Sequence, residues 1–165
     1  MAYELIETIE VGAGGAASIE FTSIPQDGVD LVCLVSGRAT SSSAGGIEVR
    51  LSGDTSSNYL QRNLLGTGSG VSSTGGTDTA FQLATNPSTY TSNTFGNMSF
   101  YVCNYTSSAT KSIKVDLVSE NNAAAGFQRL ISGHWNNTAA VTALKIFKPG
   151  DNLAQYSTAS LYKIY

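Results

Sequence analysis

Hydrophobic and polar residues alternate one by one in several short stretches of this chain. The clearest stretches are residues 18–22, 47–51, 98–102 and 113–117, where a large apolar residue takes every second position. A period of two places alternate side chains on opposite faces of a strand, whereas the apolar face of a helix repeats every three to four residues. These stretches therefore predict strands that bury one face and expose the other.

Other runs predict strands from their apolar and aromatic content, although their alternation is less regular. These runs are residues 5–11, 29–35, 141–147 and 157–164. The run 29–35 is apolar at nearly every position apart from Asp30, which predicts a central strand covered on both faces. A further strand is expected to lead through Leu130 and Ile131 to His134 and Trp135.

Polar segments rich in Gly, Ser, Thr and Asn separate these runs and predict loops. The longest are residues 40–46, 66–78, 86–93 and 121–126, of which the last could include one helical turn. Ten or eleven short strands without helical periodicity predict an all-β fold, an antiparallel β-sandwich of about ten strands. The long loops imply crossings between sheets, which favours a jelly-roll-like topology. Length predicts one domain over residues 1–165, with residues 1–11 as a peripheral edge strand.

Composition and charge narrow the classes of partner. Of the 165 residues, 41% are hydrophobic and 13% charged, and the net charge is −3. The basic residues are scattered, so no surface for nucleic acid is expected. No apolar stretch approaches the length of about 20 residues that spans a bilayer, so no membrane partner is expected either. Residues 1–4 do not resemble the start of a signal peptide, which predicts assembly in a cytoplasm.

One motif matches a cofactor-binding fingerprint on paper. Residues 12–17, Gly-Ala-Gly-Gly-Ala-Ala, follow a predicted strand and fit the dinucleotide pattern G-x-G-x-x-A. That fingerprint requires a helix to follow, because the helix N-terminus binds the pyrophosphate. Here the predicted strand 18–22 and then Pro25 follow, so a Gly-rich hairpin is the better interpretation and no cofactor is expected.

Residues with catalytic or metal-binding chemistry are few. His134 is the only histidine, no G-x-S-x-G elbow occurs, and no clustered ligand spacing suggests zinc or calcium. We expect Trp135 to point inward and His134 to lie near the surface. The acidic residues fall into two settings, turns (Asp54, Asp78 and Asp151) and the polar faces of strands (Glu10, Glu20 and Glu48). The sequence thus predicts no catalytic, cofactor or metal residues, and leaves a calcium site in a loop open.

The cysteines and tyrosines each have two interpretations. Cys33 and Cys103 are expected to be buried thiols on strands, and a disulfide between them is the alternative. The tyrosines of the second half are either buried with a paired hydroxyl or exposed at a protein contact. They are Tyr90, Tyr101, Tyr105, Tyr156, Tyr162 and Tyr165.

Four stretches, in order along the chain, resemble a family of small virion structural proteins of tailed bacteriophages. They are residues 19–25 (IEFTSIP), 100–105 (FYVCNY), 133–142 (GHWNNTAAVT) and 152–164 (NLAQYSTASLYKI). One departure is Lys163, where the family pattern has glycine. The resemblance implies a stand-alone, jelly-roll-like component of the particle, and it brings no catalytic residues with it.

The expected function is therefore that of a capsid decoration, or cement, protein on the outer surface of the virion head. Its expected partners are the major capsid protein and further copies of itself, as a homotrimer that matches the local threefold symmetry of a shell. The N-terminal strand is the expected attachment element, because an edge strand can pair with another chain. Two alternatives stay open. One is a tail-fibre or receptor-binding module that touches host glycans through loops 66–78 and 86–93, and the other is a carbohydrate-active enzyme with a carboxylate pair.

Overall fold

The computed structural model describes residues 2–43, 46–123 and 126–165, and in these residues it contains twelve β-strands and no helix. The chain is thus all-β, as predicted, with slightly more strands than the ten or eleven expected. The strands are β1 Tyr3–Glu10, β2 Ser18–Phe21, β3 Asp30–Gly37, β4 Glu48–Leu51, β5 Tyr59–Gly66, β6 Val71–Asp78, β7 Phe81–Gln82, β8 Gly96–Val102, β9 Lys111–Glu120, β10 Gly126–Trp135, β11 Leu144–Phe147 and β12 Thr158–Ile164.

The strands form two antiparallel sheets of unequal width. The larger sheet has eight strands in the order β1-β12-β3-β8-β9-β10-β5-β6, and the smaller has four in the order β2-β11-β4-β7. Every strand pair in both sheets is antiparallel. The predicted antiparallel β-sandwich is confirmed at this level.

The core lies between the two sheets and follows from the alternation in sequence. Every second residue of β9, from Lys111 to Ser119, is buried and the others are exposed. Aromatic rings join the layers: Phe81 of β7 meets Tyr59 of β5 edge to face at 5.1 Å, and it lies 5.7 Å from Phe100 of β8. Interleaved rings of this kind contribute about 0.5–1.5 kcal/mol per pair beyond the area they bury.

Within the described residues, no other layer covers the outer face of the larger sheet. Strand β3 lies between β12 and β8, so its prediction as a central strand is confirmed. Its predicted cover on both faces is wrong, because Leu34 points outward and is 45% exposed. The apolar run 29–35 therefore contributes residues to the outer surface as well as to the core.

The segment 66–78 is a hairpin and not the predicted loop. Strands β5 and β6 pair along their whole length, from Tyr59 opposite Asp78 to Gly66 opposite Val71, around a turn in which Thr67 N donates to Gly70 O at 3.0 Å. All eight residues of β6 are exposed. Because this strand buries no side chain, it needs only backbone hydrogen bonds, and its sequence of Ser, Thr and Gly carries no hydrophobic signal. Neither β5 nor the two-residue β7 was predicted.

Residues 12–17 connect the two sheets and do not form the predicted hairpin. Gly14 and Gly15 turn the chain with positive φ angles of 93° and 78°. Strand β1 before them pairs with β12, and strand β2 after them pairs with β11. The strand that follows is β2, as predicted. Of the other expected loops, 86–93 contains turns and no strand, while parts of 40–46 and 121–126 lie outside the described residues.

Candidate interaction surface

Strand β1 forms one free edge of the larger sheet. Its inner side pairs with β12 from Tyr3 opposite Ile164 to Glu10 opposite Thr158, and no other described strand pairs with its outer side. Six of its eight positions are exposed, including Tyr3 at 60% and Leu5 at 51%. Ile6 and Ile9 are partly buried against the core. The strand is therefore attached through one edge and one partial face, and it offers the other edge to a partner.

A charged cluster fastens the start of β1 to β12. Lys163 is 5% exposed, and its Nζ lies 3.2 Å from Glu4 Oε1 and 2.8 Å from Asp27 Oδ2. Hydrogen bonds from Tyr165 and Lys163 lower the pKa of Glu4, and the hydrogen bond from Lys163 lowers that of Asp27. Hydrogen bonds with Asp27, Tyr165 and Glu4 raise the pKa of Lys163, and the bond with Asp27 has the largest effect. Lys163 thus links Glu4 of β1 to Asp27, which precedes β3.

Strand β6 forms the other free edge of the same sheet. Its exposed residues carry no charge before Asp78, and Gly75 and Gly76 leave its middle without side chains. A Cβ atom built on Gly75 would lie 2.5 Å from Cδ of Arg62 and 2.8 Å from its Nη1. The Arg62 side chain therefore lies across β6 at the position that the glycine leaves open.

Exposed apolar side chains concentrate on the larger sheet. Of the ten large hydrophobic residues that are exposed, seven belong to its strands: Tyr3, Leu5, Leu34, Leu64, Val71, Val118 and Leu130. Leu64 and Leu130 are directly opposite each other on β5 and β10, and Val71 lies beside them. Apolar side chains gathered on one face are the usual mark of a contact surface.

The outer face of the smaller sheet has a different character. Lys145 of β11 is paired with Glu20 of β2 at 2.7 Å, and Lys145 and Arg50 lie over the ring of Phe147 at 5.7 and 4.6 Å from its centroid. Charged groups that already have partners favour contact with water. The two broad faces of the sandwich thus differ, and the larger sheet is the better candidate for a protein contact.

The side chain of Arg38 binds the backbone of the loop formed by residues 86–94. Its guanidinium donates to the carbonyl oxygens of Ser88, Tyr90, Thr91 and Thr94 at 2.8–3.1 Å. An arginine that donates several hydrogen bonds to one loop fixes the loop backbone, so its exposed hydroxyl-bearing side chains have defined positions. No sequence pattern indicated this role, because Arg38 lies about fifty residues from the loop.

Residues considered for catalysis lie apart. Trp135 is fully buried at the end of β10 and His134 is half-buried, as predicted. Glu10 and Glu20 lie exposed on their strands and Glu48 is half-buried, while Asp78 ends β6 instead of lying in a turn. The described residues hold no group of three or more His, Cys, Asp or Glu side chains that could bind a metal ion. They also contain no helix with the length and apolar character needed to cross a membrane.

Both cysteines are free thiols in the structure. Cys33 is buried in β3 as predicted, and burial raises the pKa of its thiol to about 12. Cys103 follows β8 in a turn and is half-buried, so its prediction as a buried strand residue is wrong. The tyrosines divide between the two interpretations, since Tyr105 is fully buried with its hydroxyl bonded to Pro25 O, whereas Tyr156 is 59% exposed.

Two polar residues, Asp54 and Lys111, connect segments at the end of the sandwich where β9 begins and β10 ends. Asp54 accepts hydrogen bonds from Trp135 Nε1 at 2.9 Å and from Asn58 and Asn137, although the sequence indicated only a turn carboxylate. Lys111 is fully buried, and its Nζ donates to the carbonyl oxygens of Ser107 and Ala139 at 2.8 and 2.9 Å. These groups serve the fold, and no local sequence pattern shows which distant residues they contact.

The larger sheet therefore provides the candidate interaction surface, consisting of the free edges β1 and β6 and the outer face between them, with its exposed hydrophobic residues. Compared with known proteins, the chain matches no family model, no curated protein and no solved structure.

Proposed function

We propose that this protein is a phage virion structural protein that decorates the outer surface of the capsid and stabilises the shell by binding it. The observation that carries the proposal is the concentration of exposed apolar side chains on the larger sheet, together with the free edge of β1. A protein that binds only the assembled lattice stabilises it by mass action, and repeated copies add avidity. The resemblance of four sequence stretches to phage virion proteins supports the same role.

The strand order supports a jelly-roll assignment. The smaller sheet, β2-β11-β4-β7, has the order of one sheet of a jelly roll, in which the first and last strands are neighbours. In the second sheet of a jelly roll, the corresponding strand order would be β3-β8-β5-β6. In this protein the hairpin β9-β10 is inserted between β8 and β5. On this assignment, β1 and β12 extend the larger sheet beyond the basic fold. The additions widen the sheet that carries the apolar face.

We propose that β1 attaches the protein by strand addition, with a strand of the assembled particle pairing along its free edge. Deletion of residues 2–10 should abolish binding to undecorated particles, measured by co-sedimentation, while leaving a folded core. The deletion stops before Val11 because that side chain is 3% exposed and belongs to the core. Circular dichroism and the denaturant midpoint serve as the control for folding.

A full-length variant separates attachment from folding. Leu5→Lys adds a charge to an exposed edge strand without removing a buried side chain, and charged residues on an edge oppose strand addition. It should bind particles more weakly than wild type while its free energy of unfolding stays within about 0.5 kcal/mol. If the deletion variant and Leu5→Lys both bind particles as fully as wild type does, β1 is not the attachment element.

A tail-fibre or receptor-binding module is the second candidate. The observation that favours it is the loop 86–94, whose backbone is fixed by Arg38 and whose side chains at positions 88, 89 and 91–93 are exposed. Preorganised polar loops are suited to glycans, because ordering costs little on binding. Under this candidate, Arg38→Ala would weaken adsorption to host cells, whereas under the decoration proposal it would leave adsorption unchanged.

A further inference from the structure

The two free edges of the larger sheet run in opposite directions. The sheet has eight strands and each neighbouring pair is antiparallel, so β1 and β6 are antiparallel to each other. A second copy in the same orientation beside β6 would therefore present its β1 in the direction that an antiparallel ladder requires.

Strand β6 lacks the features that usually prevent pairing, whereas β1 carries glutamates and one irregularity in its register. Natural edge strands are protected by proline, lysine, bulges or a covering segment. Strand β6 contains no proline or lysine, and all its residues are exposed. Strand β1 has an irregularity between Leu5 and Glu7 but regular register from Glu7 to Glu10. An edge as long and bare as β6 is expected to have a partner strand.

The outer face of the sheet carries a carboxylate near one edge and a guanidinium near the other. The β1 edge carries Glu4, Glu7 and Glu10, of which Glu10 is exposed on the outer face and forms no ion pair within the described residues. At the other edge, Arg62 is exposed, lies across β6 at Gly75 and likewise has no carboxylate partner in the described part of the chain. The pairing registers from β1 through to β5 put Glu10 and Arg62 on the same face of the sheet.

We infer that β6 of one copy binds β1 of a second copy by antiparallel strand addition, in a register that brings Glu10 of one copy within reach of Arg62 of the other. This names the partner strand for the β1 edge, and its role on the particle rests on the proposed function. The contact is head to tail, so its repetition closes a ring when the rotation per copy allows it.

Sedimentation equilibrium of the purified full-length chain tests the contact without any capsid. Wild type should self-associate in a concentration-dependent manner at low ionic strength. Arg62→Glu and Glu10→Arg should each raise the dissociation constant by about 3–10-fold, because each places like charges across the joint. The double variant should recover most of the loss. Lys114→Glu is the matched control, since Lys114 is exposed on the same face of β9, three strands from the β6 edge, and its reversal should leave association unchanged.

The outcomes separate this inference from the proposed function. A wild-type chain that stays monomeric at all concentrations, or a double variant no better than either single reversal, overturns the β1–β6 contact. If that monomer still binds particles, decoration stands and the partner of β1 is a capsid strand. If the chain self-associates as expected but never binds particles, the contact stands and decoration is wrong.

Discussion

At the scale of single residues, the polar side chains with most hydrogen bonds serve the fold. Asp54 connects the turn after β4 to Trp135 at the end of β10. Burial opposes the charge of this carboxylate, but the hydrogen bonds from Asn58, Ser56, Asn137 and Trp135 outweigh it and hold the pKa of Asp54 well below its ordinary value. Because the folded pKa is the lower one, the stabilisation is complete above pH of about 4 and is lost as the pH falls further.

Asp54→Ala tests this residue. The substitution leaves the buried indole N–H of Trp135 without an acceptor, so the free energy of unfolding should fall by about 1–3 kcal/mol at pH 7. Denaturant unfolding followed by tryptophan fluorescence measures the change, and repetition between pH 5 and 2 should show the gap between variant and wild type closing. Asp116→Ala, on the exposed face of β9, should stay within about 0.5 kcal/mol of wild type. Equal loss in both variants would contradict the role of Asp54.

At the scale of elements, the contact between β10 and β7 depends on a glycine. Gly133 faces the core, and a Cβ atom at that position would lie 2.8 Å from Cε1 of Phe81 and 3.2 Å from Cβ of Ile113. The ring of Phe81 is enclosed by Tyr59 and Phe100, so it has little room to move. Close approach of the two sheets therefore requires the absence of a side chain in β10.

Gly133→Ala should destabilise the protein by about 1–3 kcal/mol through overpacking. Gly76→Ala is the matched control, because Gly76 also lies within a strand and nothing is within 4 Å of an added Cβ. It should be neutral or slightly stabilising, since alanine restricts the unfolded chain more than glycine. The denaturant midpoints of the two variants give the comparison, and a neutral Gly133→Ala would mean that the sheets can separate at low cost.

At the scale of the whole molecule, the sandwich has two unlike faces and two open edges. The larger sheet carries most of the exposed hydrophobic residues and both free edges, and the smaller sheet carries the ion pair between Lys145 and Glu20. A shape that can bind on one face and join neighbours at its edges suits a repeated component of a shell. It also suits a ring at the tip of a tail, where far fewer copies would be present.

Copy number per particle distinguishes these two positions. Decoration predicts an abundance comparable with that of the major capsid protein, because each local threefold axis would carry a trimer. Quantitative mass spectrometry of purified particles, with the major capsid protein as internal reference, gives the ratio. A handful of copies per particle would contradict decoration and favour the tail.

How far the sequence predicted the structure varied with the kind of residue. Alternation predicted β2, β4, β8 and β9 well, because a buried face imposes a period of two on the side chains. It could not reveal β6, whose side chains are all exposed and whose strand is defined only by backbone pairing to β5. The free edge of β1 was expected from its position and is present. The second edge, β6, lies in a stretch whose Gly, Ser and Thr content predicts a loop.

The sequence by itself determined that this chain is all-β and which residues form most of its core, because burial of one strand face requires apolar residues at every second position. Only the tertiary structure decided which strands are neighbours, which edges are free and which face stays apolar. Those features depend on contacts between residues far apart in the chain, such as Arg38 with residues 88–94 or Asp54 with Trp135. No local pattern encodes such contacts, because their energy arises only when the sheets have come together.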